Sequence, residues 1–119
     1  MKTPFFIATL MFGNFLLQAQ SKQVAKPSAS VIESGKVLIS KSDCLACHKV
    51  DTKLLGPSYL DVAKKYPATE ANYQKLTKKV LEGGSGVWGN IPMAPHINLS
   101  SADARKMVQY ILSLKPVTK

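Results

Sequence analysis

The chain is 119 residues long and strongly basic, with 16 lysine and arginine residues against 7 aspartate and glutamate residues. A chain of this length forms one domain, so a second independent core is excluded. The cations are scattered without a dense run, and only one of them, Arg105, is an arginine. Because phosphate and base recognition favours bidentate arginine, nucleic-acid binding is not expected. The lysines suit a solvated surface, or one that attracts an acidic protein.

The first twenty residues have the layout of a signal peptide. Lys2 is followed by an apolar run that begins at Phe5 and is interrupted at Gly13. The run is too short for a membrane span of about 20 apolar residues, which favours export to the periplasm and cleavage. The predicted organisation is a signal peptide in residues 1–20, a flexible polar leader in 21–30, a folded domain in 31–115 and a short tail in 116–119.

Hydrophobic repeats of three to four residues predict an all-α fold. Gly35 lies in the contact stripe of the first helix, where close approach of another helix would justify its low helix propensity. Ser58 is placed to cap the second helix, Gly83 to end the third, and Ser100 or Ser101 to cap the last. The four helices are predicted in residues 31–40, 59–66, 70–81 and 101–114.

Residues 85–99 are rich in glycine, proline and asparagine and show no repeat. We therefore predict an irregular loop there, and no strand anywhere in the chain. A loop of this length is long for a bare connection, which is typical of a functional segment.

Both cysteines of the chain lie in one pentapeptide, Cys44-Leu45-Ala46-Cys47-His48. Two thiols three positions apart on a helical turn can reach the two vinyl groups along one side of a haem. The next imidazole then lies beneath the iron. The motif predicts one covalently bound haem c per chain, attached by Cys44 and Cys47, with His48 as the proximal iron ligand.

Two other kinds of site use the same residues. An exported dithiol or disulfide of the thioredoxin kind has this spacing, but that fold requires strands, which the sequence does not predict. A zinc site needs four ligands, so His96 would have to join His48 and the two thiols. The helical pattern around the pentapeptide favours haem over both.

A low-spin electron carrier needs a second axial ligand, and Met93 is the favoured candidate. Pro92 and Pro95 stiffen the backbone around its sulfur. A thioether stabilises ferrous iron and raises the reduction potential relative to two histidine ligands. Met107 lies in a helical stripe and is predicted to fill the core. His96 is the rival ligand, and its binding would lower the potential.

Three motifs in order resemble the small bacterial class I cytochromes c of the cytochrome c-551 kind, over residues 31–115. They are the pentapeptide, the segment LGPSYLDVAKKY that begins at Leu55, and the segment GVWGNIPMAP that begins at Gly86. The resemblance implies the class I cytochrome c fold, with four to five helices around one haem. It also implies that the first and last helices cross near Gly35 and Tyr110.

The resemblance implies roles for further residues. The carbonyl of Pro57 accepts a hydrogen bond from His48 and fixes its tautomer. Trp88 donates its indole N–H to a haem propionate and also packs in the core. His96 stands where relatives often place an asparagine that bonds the methionine sulfur, and Lys79 where they often place an arginine near a propionate. Both departures would tune the potential.

The implied function is one-electron transfer. With both axial positions filled, the iron is closed to substrates, so we expect a non-enzymatic carrier that cycles between Fe(II) and Fe(III). The expected partners are periplasmic or membrane redox proteins with acidic docking surfaces, and a membrane is reached only through them. A subunit of a larger redox complex is a variant of this function. A peroxidase-like enzyme with an open iron is the alternative, against which Met93 argues.

Overall fold

The computed structural model describes residues 25–115. The predicted signal peptide, the first four residues of the predicted leader and the predicted tail lie outside this part. Its helices are all too short or too polar to cross a membrane. The elements in chain order are α1 (Ala29–Ser40), a 3-10 turn (Cys44–Ala46), α2 (Tyr59–Lys65), α3 (Glu70–Glu82), β1 (Gly84–Gly86), β2 (Gly89–Met93) and α4 (Ser101–Ser113).

Each of the four α-helices begins at a hydroxyl side chain that caps it. The Oγ atoms of Ser28, Ser58 and Ser100 accept hydrogen bonds from backbone N–H groups of α1, α2 and α4, and Thr69 does the same for α3. Such caps satisfy N–H groups that the first turn leaves unpaired, and each contributes about 1 kcal/mol. The predicted helices are confirmed, although α1 begins at Ala29, two residues earlier than predicted.

Helix α4 lies at the centre of the core, because it packs against α1, α2 and α3. Its Val108 and Leu112 join a buried cluster with tyrosines of the α2–α3 region, and its Met107 joins a second cluster with Ile39 and Tyr59. Met107 is 2% exposed, which confirms its prediction as a core residue. Helix α4 therefore fixes the positions of the other three helices relative to one another.

Helices α1 and α4 touch at Gly35. A Cβ atom on this residue would lie 2.1 Å from the backbone oxygen of Lys106 and 3.0 Å from Cβ of Tyr110. The absence of a side chain lets the two backbones approach, so the predicted crossing near Gly35 and Tyr110 is confirmed.

The prediction that the chain contains no strand is wrong. β1 and β2 form an antiparallel hairpin in which Gly84 pairs with Met93 and Gly86 with Gly89. All three glycines have φ between 105° and 123°, a region that side chains disfavour. The hairpin thus depends on glycine backbone conformations, and it leaves no alternating hydrophobic pattern for a sequence analysis to find.

A bidentate ion pair also joins α3 to α4. Arg105 donates from Nη1 and Nη2 to the two carboxylate oxygens of Glu70, at 2.8 and 2.6 Å. Its guanidinium lies 5.2 Å from the centroid of the Tyr73 ring. The hydrogen bonds from Arg105 lower the pKa of Glu70. A carboxyl group whose pKa is lowered by folding stabilises the fold above its unfolded pKa, and this contribution is lost as the pH falls.

Replacement of Gly35 by alanine is expected to lower the free energy of unfolding by about 2 kcal/mol, because the added methyl group overlaps the backbone of α4. The sign is informative, since alanine normally stabilises a helix by about 0.5–1 kcal/mol over glycine. Chemical denaturation measures the change. The exposed neighbour Lys36→Ala is the control, with an expected change below about 0.5 kcal/mol. A Gly35→Ala protein as stable as this control would contradict the close contact.

The Glu70–Arg105 pair predicts an acid-sensitive contribution to stability. Glu70→Gln should lower the thermal midpoint at pH 7, where the carboxylate is charged, and the difference from the unmodified protein should shrink below about pH 4. Thermal unfolding at several pH values tests this. Glu33 on α1 forms no ion pair within residues 25–115, so Glu33→Gln is the matched control. An equal loss of stability in Glu70→Gln at both ends of the pH range would count against the charge as its cause.

Candidate functional site

The pentapeptide forms a tight turn shortly after α1. Cys44–Ala46 is a 3-10 turn, and the backbone N–H of His48 donates to the carbonyl oxygen of Cys44 at 3.0 Å. Both cysteines are free, Cys44 half-buried and Cys47 exposed. The turn therefore carries two uncommitted thiols and an imidazole within five residues.

The imidazole of His48 is held by the segment that leads into α2. Its Nδ1 donates to the carbonyl oxygen of Pro57 at 2.8 Å, and the ring stacks on Tyr59 with centroids 5.5 Å apart. Because a carbonyl oxygen can only accept, the proton of the neutral ring lies on Nδ1 and the lone pair on Nε2. This arrangement prepares Nε2 to bind a metal.

Gly56 lies directly against the same ring. A Cβ atom on Gly56 would lie 2.4 Å from Cε1 and 2.8 Å from Nδ1 of His48. The backbone N–H of Gly56 donates to the carbonyl oxygen of Cys47 at 2.8 Å, which ties the loop to the pentapeptide. This contact was not predicted, because a Gly-Pro pair in a sequence is equally typical of an ordinary turn.

Met93 is half-buried at the end of β2, beside the C-terminal end of α3. A Cβ atom on Gly83, whose φ is 66°, would lie 2.3 Å from the Met93 backbone oxygen. Met93 also pairs with Gly84 in the hairpin. The end of α3 and the hairpin thus fix the Met93 backbone, in addition to the stiffening by Pro92 and Pro95.

Trp88 lies in the hairpin turn and is 42% exposed, so it does not pack in the protein core as expected. The Nζ atom of Lys65 lies 5.8 Å from the centroid of its ring. The indole is therefore accessible to a bound group, with a cation beside it.

His96 does not offer a free nitrogen to a distal metal. Its Nδ1 donates to the carbonyl oxygen of Val80 at 3.0 Å, and its Nε2 lies 3.1 Å from Oδ1 of Asp43, within hydrogen-bonding distance. With both ring nitrogens engaged, His96 is a poorer candidate than Met93 for the distal position.

The four residues of the alternative zinc site are not gathered. In the part of the chain that the structure describes, the metal-ligating side chains within 4.8 Å of one another are Asp43, Cys44 and His96, without Cys47 or His48. Burial, and then the Asp43 carboxylate, raise the pKa of Cys44.

Large apolar side chains remain exposed in the two segments that bear these groups. A soluble protein rarely leaves such surface uncovered unless it binds something there. Together with two free thiols, an available Nε2 and a thioether, this apolar surface fits a haem macrocycle. Within residues 25–115, all large exposed hydrophobic residues except Val37 lie in residues 45–55 or 87–97, namely Leu45, Val50, Leu54, Leu55, Val87, Trp88, Ile91 and Ile97.

Comparison with known proteins identifies a family and several relatives. The family model for cytochrome c matches residues 32–115. Cytochrome c-552 of Nitrosomonas europaea is 46% identical over 78 residues, which cover 66% of this chain and 76% of the relative. Cytochrome c-551 of Pseudomonas aeruginosa is 39% identical over 83 residues, which cover 70% and 79%. The crystal structure of wild-type Nitrosomonas europaea cytochrome c552 matches with a TM-score of 0.63 at 45% identity, covering 67% of this chain and 99% of that chain.

Gly56→Ala is expected to displace the His48 ring, because no space exists for a Cβ atom between them. The free energy of unfolding should fall by about 1–3 kcal/mol, and the hydrogen bond to Pro57 should weaken. Denaturation measures the first effect, and the NMR shift and exchange rate of the Nδ1 proton measure the second. Lys53→Ala, in the same loop and exposed, is the control. If the NMR shift and exchange rate of the Nδ1 proton were unchanged in Gly56→Ala, the contact between residue 56 and the His48 ring would not restrict the ring.

Proposed function

This chain belongs to the cytochrome c family, and we propose from this premise that Cys44 and Cys47 attach its haem while His48 and Met93 bind the iron. The protein is an electron carrier with covalently bound haem c, as its family and relatives establish. Its own residues then account for how the haem is held and how its potential is set.

The hydrogen bond from His48 Nδ1 to Pro57 is the observation that carries this proposal. It places the lone pair of the neutral ring on Nε2, and it makes the imidazole a stronger donor to iron. Tyr59, 3% exposed, supports one face of the ring. The proximal ligand is therefore oriented by contacts within the protein, and its geometry is expected to persist in both oxidation states.

Met93 is proposed as the distal ligand. Haem c supplies the one-electron couple Fe(II)/Fe(III), and the soft thioether favours the ferrous form, which raises the reduction potential. The contact with Gly83 and the pairing with Gly84 hold the Met93 backbone. The engagement of both His96 nitrogens elsewhere supports methionine over histidine at this position.

Trp88 is proposed to donate its indole N–H to a haem propionate. Its exposed ring in the hairpin turn supports this role, because a buried indole would already be enclosed by protein. Lys65, beside the ring, adds positive charge near the same place. A propionate there would meet one donor and one cation.

We infer that the protein is not an enzyme, because two ligands from the chain leave no iron position for a substrate. As an electron carrier it exchanges electrons with other redox proteins, and the excess of cations supports partners with acidic docking surfaces. Interfaces of this kind bury less than about 1,200 Å², which permits rapid release. Attachment as a subunit of a larger redox complex would use the same residues.

Export to the periplasm is proposed from the signal-peptide layout of residues 1–20. The family match begins at residue 32, which supports a division between the predicted leader and the folded domain. Nucleic acid is not proposed as a partner, and a membrane is proposed to be reached only through redox partners.

Met93→Ala is expected to abolish the weak far-red absorption band that methionine sulfur gives with ferric haem, and to lower the reduction potential. Optical spectroscopy and potentiometric titration of the haem-loaded protein measure both. Met107→Leu replaces a buried core methionine with a side chain of similar volume, so the band and the reduction potential should be preserved. Persistence of the band in Met93→Ala would remove Met93 from the ligand set. If the unmodified protein lacked this absorption band, His/Met ligation would be rejected altogether.

A further inference from the structure

We propose that His96 is a positioning residue for the proposed iron ligand Met93, and that it does so by clamping the Met93–His96 segment to two separate parts of the fold. The inference rests on the proposed ligation by Met93. The clamp consists of His96, the carbonyl oxygens of Val80 and Leu81 at the end of α3, and the side chain of Asp43, which directly precedes the Cys44–Ala46 turn.

Three hydrogen bonds form the clamp. The backbone N–H of His96 donates to the carbonyl oxygen of Leu81 at 3.1 Å, and its Nδ1 donates to that of Val80 at 3.0 Å. Its Nε2 lies 3.1 Å from Oδ1 of Asp43, across 53 positions of sequence, and donates to it when the ring carries both protons. One residue thus ties the distal segment both to α3 and to the turn that carries Cys44.

The contact with Asp43 is the specific part of this arrangement. A carbonyl oxygen and a carboxylate both accept, so the ring satisfies both when both of its nitrogens carry a proton, and it then forms an ion pair with Asp43. The Asp43 side chain is 77% exposed while that of His96 is 18% exposed. Because an exposed ion pair contributes little alone, position is set by the three bonds acting together.

The clamp reaches Met93 through a short and stiff stretch of chain. Only Ala94 and Pro95 separate Met93 from His96, and proline fixes its own φ. A Cβ atom on Gly83 would lie 2.9 Å from both Ala94 C and Pro95 N, so this stretch packs on the end of α3. The segment is therefore fixed at one end by the hairpin and at the other by His96, and Met93 has little freedom to leave the iron while both hold.

The test uses the haem-loaded protein and two readouts. Hydrogen exchange of backbone amides in residues 93–99, followed by mass spectrometry, reports opening of the segment. Optical titration of the ferric protein with imidazole reports how readily an external ligand displaces Met93. In His96→Ala we expect amide exchange and apparent imidazole affinity each to rise about tenfold, equivalent to about 1.4 kcal/mol.

Matched variants separate the clamp from general destabilisation. Asp43→Ala should raise amide exchange and imidazole affinity by less than His96→Ala does. The double variant should differ little from His96→Ala alone, because Asp43 and His96 act through one contact. Asp43→Asn keeps an acceptor oxygen and should recover part of the loss. Asp51→Ala removes an exposed carboxylate between His48 and α2, and Asn98→Ala alters an exposed residue shortly after His96. Amide exchange and imidazole affinity of both variants should equal those of the unmodified protein.

The clamp would be refuted if amide exchange and imidazole affinity were unchanged in His96→Ala. If the unmodified protein also showed the methionine-sulfur band, the proposed ligation by Met93 would still hold. Additive effects of Asp43→Ala and His96→Ala would refute the contact between them. If His96→Ala does not fold, the milder Asp43→Ala decides, and values equal to those of Asp51→Ala would refute the clamp. An unmodified protein without the band would refute the ligation and with it this role of His96.

Discussion

The position of the His48 ring is the constraint on which the rest of the site depends. The ring is bonded to Pro57 at 2.8 Å, and it stacks on Tyr59. Tyr59 itself belongs to the core cluster that contains Ile39 of α1 and Met107 of α4. The contact of α1 with α4 at Gly35 brings these helices together. An imidazole on a partly exposed turn is thus oriented by the interior of the protein.

The exposed apolar residues around the site offer a surface that haem would cover. Burying one leucine- or isoleucine-sized side chain contributes about 1.5–3 kcal/mol, and Leu55, Val87, Ile91 and Ile97 are each more than half exposed. Covering the exposed parts of all four would contribute about 4–8 kcal/mol, which reaches the lower part of the range for the whole stability of a small domain, about 5–15 kcal/mol. If the haem covers these apolar residues, stability and haem binding are expected to change together.

Local rules predicted most of the fold and failed where distant residues or backbone conformation decide. Ser58 was predicted as a cap, and Ser100 as one of two candidates with Ser101, because capping depends on adjacent residues. The pentapeptide was recognised because its chemistry lies in five consecutive positions. The hairpin was missed because Gly84, Gly86 and Gly89 define it by φ angles. The contact between Asp43 and His96 could not be found, because 53 positions separate them and no periodicity relates them.

The two sides of the proposed iron site are held by different means, and this difference assigns them different roles. The His48 ring is fixed by a buried aromatic residue and by a glycine that admits no side chain, so its displacement would disturb the core. The segment after Met93 is held by hydrogen bonds that end partly on the exposed Asp43. Segments with few buried contacts open at lower free energy than the core. In the proposed site, changes on the Met93 side are therefore expected to adjust the potential and ligand exchange at small cost in stability, and changes on the His48 side to affect the fold.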